Sequence, residues 1–219
     1  MYVPEYFKPD PEAVIDLLRN FGAADLVTST PDGLRATMLP MVYVDGKSGA
    51  DGTPARLLGH VARKNDHWRQ PVLGDAMAIV RGPDAYITPA WYETKRAHGR
   101  VVPTWNYITA HVYGELVVHD DVDWLRANVT ALTSKYESGR AEPWAVTDAP
   151  PQYVTGQLRA IVGLELVIAR VEAKFKLSQN RSEADVDGVI EGLAQDGRSD
   201  MSDAVRAASR EGARTNAGG

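Results

Sequence analysis

The densest concentration of reactive side chains lies in Gly59-His60-Val61-Ala62-Arg63-Lys64-Asn65-Asp66-His67-Trp68, where a β-prone run gives way to a helix-prone one. A guanidinium, an ammonium, two imidazoles and an amide meet at this junction. These groups suit a phosphate monoester: arginine offers a bidentate fork, lysine a point charge, and a helix start adds free N–H groups in a positive field. A solvated basic turn anchored by Trp68 is the competing reading.

A second concentration spans Gly82-Pro83-Asp84-Ala85-Tyr86-Ile87-Thr88-Pro89-Ala90-Trp91-Tyr92 and Gly99-Arg100-Val101-Val102-Pro103-Thr104-Trp105-Asn106-Tyr107. Aromatic and amide groups stiffened by proline could hold the edge of a flat heterocycle, form a subunit interface, or make a satellite core under a loop. Lys95, Arg96, His98 and Arg100 between them form a charged loop or a local basic rim. A third concentration is Lys174-Phe175-Lys176-Leu177-Ser178-Gln179-Asn180-Arg181, where an apolar strand ends in amides and bases. It either reaches a ligand in a barrel mouth or caps the next helix through Ser182.

Common chemical templates are missing. Gly46-Lys47-Ser48 lacks the upstream glycine of a phosphate-binding loop, since Met41 stands there. The five histidines (His60, His67, His98, His111, His119) contain no HExxH pair, and the cysteine count of zero excludes thiol nucleophiles, disulfides and cysteine-held metals. No metal site is expected.

The elements that must position these groups follow from periodicity. Asp10 and Pro11 precede Val14, Leu17, Leu18 and Phe21 at helical spacing, and Gly22 stops that helix. Ala24–Ser29 and Leu34–Val44 read as strands joined at Thr30-Pro31-Asp32-Gly33, followed by a glycine-rich loop over Lys47–Ala55 and a strand over Arg56–Val61. A short helix is expected over Ala62–Gln70, and strands over Ala76–Arg81 and Ala85–Thr88, broken at Gly82-Pro83. Tyr107–Val118 is a long strand, Asp121–Ser138 a helix capped by Asp120 or Asp121, and Ile161–Leu177 a strand apolar on both faces, as in a barrel. From Ser182 the chain is polar and helix-prone. This order predicts an α+β fold: a mostly antiparallel barrel with peripheral helices and a helical C-terminal region, divided as 1-180, 181-211 and a disordered tail 212-219.

The chain has 219 residues, enough for one principal core, with 44% hydrophobic and 24% charged residues, which excludes disordered and fibrous classes. With 24 basic against 29 acidic side chains, the net charge of −5 argues against a surface built on phosphate neutralisation, so any DNA binding is expected to be weak or indirect. No apolar run is long enough for a membrane span and the N-terminus has no secretory pattern, so the expectation is a cytoplasmic protein without membrane contact.

Six ordered stretches together resemble the PaiB family of FMN-binding negative transcriptional regulators. They are Met1-Tyr2 through Phe7; Gly59-His60-x-Ala62-Arg63-x-Asn65 with Trp68; Gly82-Pro83 through Trp91-Tyr92; Val102-Pro103-Thr104-Trp105-Asn106-Tyr107 with His111 to Gly114; Leu158 to Gly163; and Lys176-Leu177-Ser178-Gln179-Asn180. Phe175 stands where that family usually has tryptophan, and Met38 where it often has histidine. The resemblance implies a flavin-binding split barrel, a homodimer and FMN as cofactor. It places the phosphate contacts at His60, Arg63, Lys64 and Asn65 and runs Thr37, Met38 and Leu39 along the flavin ring. Trp105, Asn106 and Gln179 complete the implied cofactor set. A flavin-dependent redox or sensor protein, with a possible part in negative transcriptional regulation, is the function implied. The alternatives are an FMN-dependent oxidoreductase acting on a small molecule, or a haem-binding split barrel with His60 or His111 as axial ligand.

Overall fold

In the computed structural model, residues 1–47 and 52–217 are described, with side chains through 210. Residues 48–51 of the expected glycine-rich loop lie outside them, as do the side chains of the expected tail. The strands are β1 (Ala23–Thr30), β2 (Gly33–Val44), β3 (Arg56–Ala62), β4 (Ala76–Ile87), β5 (Thr104–His119) and β6 (Ile161–Lys176). They close in the order β1-β2-β3-β6-β5-β4, the α+β barrel expected from the strand pattern and, as the family resemblance implies, a split barrel. The helices are α1 (Pro11–Asn20), α2 (Glu93–His98), α3 (Val122–Glu137), α4 (Pro151–Arg159), α5 (Glu183–Gln195) and α6 (Ser199–Ala217). Among the described residues no helix is long and apolar enough to cross a membrane.

The chain divides into two compact units, one of residues 1–14, 81–110 and 173–219, the other of 15–80 and 111–172. In the second unit, β1 alternates half-buried and buried residues, and its inner face, Ala24, Leu26, Thr28 and Thr30, sets the register. Antiparallel pairing puts Leu26 opposite Thr37 and Thr28 opposite Arg35 on β2. Gly33 turns this hairpin at φ 108°, a conformation that only glycine adopts without strain. β3 then pairs with β6, His60 facing Gly163. Gly163 is needed there because a Cβ would lie 2.2 Å from the Trp124 ring of α3. Asp121 caps α3 by accepting from the Trp124 amide at 2.8 Å, and Leu125 packs with Val154 and Leu158 of α4.

The first unit has its own core of Ile87, Tyr92, Leu177, Val186, Val189, Leu193, Met201 and Val205. Ser182 caps α5, its hydroxyl accepting from the Asp185 amide at 3.3 Å. The Trp91-Tyr92 stretch is not available as an interface: Tyr92 is buried, and α5 approaches so closely that a Cβ on Gly188 or Gly192 would meet the Trp91 carbonyl or indole.

Several elements differ from expectation. Gly82-Pro83 does not break β4, because proline costs a strand only one N–H donor and is tolerated where the ladder does not require it. The helix expected over Ala62–Gln70 shrinks to a single 3-10 turn at Asp66–Arg69. The Arg63 amide donates instead to the Ala160 carbonyl at 2.8 Å, and Asn65 keeps an extended backbone. Without a full helix, no helix-start field exists at this junction. Helices α2 and α4 were not anticipated, since six and nine residues leave little apolar periodicity to read.

Candidate functional site

The second unit brings Arg35, Thr37, Asn65, Asp66 and His67 around a cleft of about 400 Å³, within the size range of small-molecule sites. Alternation along β2 explains who faces it. Arg35, Thr37 and Leu39 share one face of the strand, while Leu34, Ala36 and Met38 take the other. Leu39 continues into the core at 2% exposure, whereas Leu34 and Met38 stand out at 79% and 72%. β3 delivers the other wall. Gly59 lies opposite Met41, where a Cβ would come within 2.9 Å of the Pro40 carbonyl, so only glycine lets the two strands approach. Beyond Ala62 the chain turns, and Asn65 caps the 3-10 turn by accepting from the His67 amide at 3.0 Å.

That cap fixes the Asn65 amide, whose Nδ2 lies 3.5 Å from the Thr37 hydroxyl, a contact too long to exhaust its donor capacity. Arg35 donates Nη1 to Asp66 at 3.1 Å, while its Nε is buried without a hydrogen-bond partner. An unpartnered guanidinium N–H is costly, and an anion that uncovers it from the cleft side would satisfy it. Lys64 is exposed next to this group and makes no hydrogen bond or ion pair among the described residues.

His67 is the buried wall of the cleft. Its Nε2 meets the Thr28 hydroxyl and its Nδ1 the Thr37 hydroxyl, both at 2.8 Å. A neutral ring donates to one hydroxyl and accepts from the other, so the geometry suits the uncharged form. Burial, followed by the Arg35 charge, pushes the His67 pKa below its ordinary value, with Asp66 opposing. The unfolded chain therefore binds a proton more readily than the folded one. Stability should fall as pH drops from about 6.5 and level off below the depressed folded value. Urea unfolding of the native protein and His67→Gln across this window should show a smaller fall in the variant, which keeps only the part due to His111, a ring that burial also holds below its ordinary value.

The remaining candidates are placed differently. Arg63 is committed to holding chain segments together: Nε donates to the Arg159 carbonyl at 2.7 Å, Nη1 and Nη2 form a fork on Asp120, and Nη2 also reaches the Ile161 carbonyl. His60 points to α3, its Nδ1 lying 3.0 Å from the Asn128 Oδ1. Trp105, Asn106 and Gln179 belong to the first unit. Trp105 donates to Asp84 at 3.1 Å with about half its surface exposed, and the buried Asn106 donates to the Ser178 hydroxyl at 2.9 Å. Gln179 accepts from the Leu177 amide and donates to the Phe175 carbonyl, both at 2.7 Å, around Ser178 at φ 68°. The residues that sequence reasoning passed over are Arg35, Thr28 and His67 as a site wall. The readable signal was Arg35 and Thr37 as a polar pair on one face of an otherwise apolar strand.

Comparison with known proteins gives this arrangement a family. The family described as "Putative FMN-binding domain" matches residues 1–170. The "Protease synthase and sporulation protein PAI 2" of Bacillus subtilis is 32% identical over 195 residues, spanning 88% of this chain and 89% of the relative. An uncharacterised protein of Emericella nidulans is 32% identical over 73% of this chain and 75% of its own. Among solved structures, the FAD and heme binding protein from Mycobacterium smegmatis (TM-score 0.56, 18% identity, 84% of this chain and 80% of that one) shares the fold. So does the flavocytochrome Anf3 from Azotobacter vinelandii (TM-score 0.57, 14% identity, 85% and 78%). FMN is the cofactor this assignment supports, and Arg35 and Asn65 bring hydrogen-bond donors to the lining of the cleft. The six sequence motifs, the split barrel and the family match converge: the chain belongs to the FMN-binding domain family.

Proposed function

We propose that this protein is a flavin-dependent redox or sensor protein that grips FMN by its phosphate in the Arg35–Thr37–Asn65 cleft. The buried Arg35 Nε without a partner carries this reading, because a phosphate oxygen is the acceptor it lacks. Asp66 steers the guanidinium through Nη1, the Asn65 amide and Thr37 hydroxyl supply neutral donors, and Lys64 adds a mobile charge at the rim. Arg63 acts one step back, clamping the turn that presents Lys64 and Asn65. When bound, FMN supplies electron transfer, and the residues of this chain supply position and electrostatics.

A homodimer belongs to the same proposal. The exposed Leu34 and Met38 row on β2 is apolar surface that an isologous contact would cover. A part in transcriptional control would then follow from the state of the flavin, not from strong DNA reading by a chain of net charge −5.

The function is tested by loading the purified protein with FMN and titrating it anaerobically with NADH, NADPH or dithionite. Reduction by dithionite with reversible reoxidation is expected, and rapid bleaching by a nicotinamide would favour the oxidoreductase form. A protein that takes up no FMN, or whose bound flavin resists dithionite, would overturn the reading.

A further inference from the structure

The second unit holds another cleft of about 400 Å³ that the flavin reading does not use. His67 is common to the two clefts and forms the wall between them. Trp68, Val72 and Leu116 give the second cleft an apolar lining, and Gln70 and Glu115 join His67 as its polar groups. Backbone order fixes this composition. The segment after the 3-10 turn lies along β5, whose alternation turns Glu115 outward after the buried Gly114.

Charge decides what this cleft can take. The Glu115 carboxylate is exposed and makes no hydrogen bond or ion pair among the described residues. Arg69, between the lining residues Trp68 and Gln70, lies over the Trp68 ring at 5.0 Å and makes no ion pair with Glu115. His67 is held toward its neutral form by burial and by Arg35, so Glu115 is the one formal charge in the lining. An anion would meet repulsion there, and a neutral apolar molecule would leave the carboxylate unused.

We infer that this cleft is a second ligand site, selective for a small organic cation with an apolar body, such as an aryl-alkyl amine. The apolar body would displace water from Trp68, Val72 and Leu116, and the ammonium would pair with Glu115. Gln70 can accept a further N–H from the ammonium. The sharing of His67 places this ligand one side chain away from the Arg35 cleft. The inference stands apart from the flavin reading, because it rests on different residues and is read by a different ligand.

Calorimetric titration of the purified protein with phenethylamine, phenethyl alcohol and phenylacetate tests it, with FMN uptake measured on the same samples. The amine should bind more tightly than the alcohol, and the acid should give no binding. Glu115→Gln should weaken the amine by roughly three- to fivefold, as for a partly exposed ion pair, and leave the alcohol and FMN unchanged. Val72→Trp, which fills the cleft, should abolish binding of both amine and alcohol without altering FMN uptake. Absence of amine binding up to about 10 mM, equal binding of amine and acid, or an amine affinity unmoved by Glu115→Gln would overturn the inference. Failure of FMN uptake alone would count against the flavin reading and leave this one standing on its own titration.

Discussion

Replacing Arg35 with alanine should weaken FMN binding by roughly ten- to a hundredfold. A charge-assisted hydrogen bond contributes about 1.5–3 kcal/mol, and each 1.4 kcal/mol is about tenfold in affinity. Arg35 can make such a bond from Nε while Nη1 keeps its pair with Asp66, once a shift of the side chain uncovers the buried N–H. Arg35→Lys keeps the charge but loses the second donor direction and should fall between. Lys64→Ala should cost less, since an exposed ammonium is screened by water. Quenching of flavin fluorescence on titration measures all three, and unchanged far-ultraviolet dichroism would show that the fold survives.

The largest expected effect on stability comes from Gly114→Ala. A Cβ at Gly114 would sit 1.9 Å from the Val167 carbonyl oxygen and 2.8 Å from its carbon, and both are backbone of β6. A rotamer change cannot relieve that contact, so β5 and β6 must separate, breaking the ladder that closes the barrel. We expect a loss of about 3 kcal/mol or more, and thus a melting temperature lower by about 6–12 °C for a chain of this size. Gly156→Ala, on α4 with nothing within 4 Å of the added carbon, is the matched control and should not destabilise the protein. Thermal melts of the two variants beside the native protein measure the difference.

Local chemistry was legible in the sequence at the turns, caps and long periodic runs. The Thr30–Gly33 turn, the Asp121 and Ser182 caps and the two-faced apolar run of β6 all stand where spacing put them, because each depends on neighbours three or four residues away or on a period of two. The role of Arg63 was not legible. Its partners, Asp120 and the Arg159 carbonyl, lie 57 and 96 residues along the chain, so its donors looked free until the barrel closed. Arg35 is the converse case. In sequence it is one basic residue in a strand, and only the placing of Asp66 and His67 beside it leaves Nε buried without an acceptor. The helix expected after Ala62 failed for a related reason, since the Arg63 amide is held by the carbonyl of Ala160, at the end of α4 and 97 residues along the chain.

The central claim is that this chain recognises FMN through its phosphate at Arg35. The direct measurement compares FMN with riboflavin, which lacks the phosphate, on the native protein and on the Arg35→Ala, Lys64→Ala double variant. The native protein should prefer FMN by about a hundredfold or more, and the double variant should lose most of that preference while binding riboflavin as before. Equal affinity of the native protein for the two flavins, or a preference for FMN undiminished in the double variant, would contradict the account.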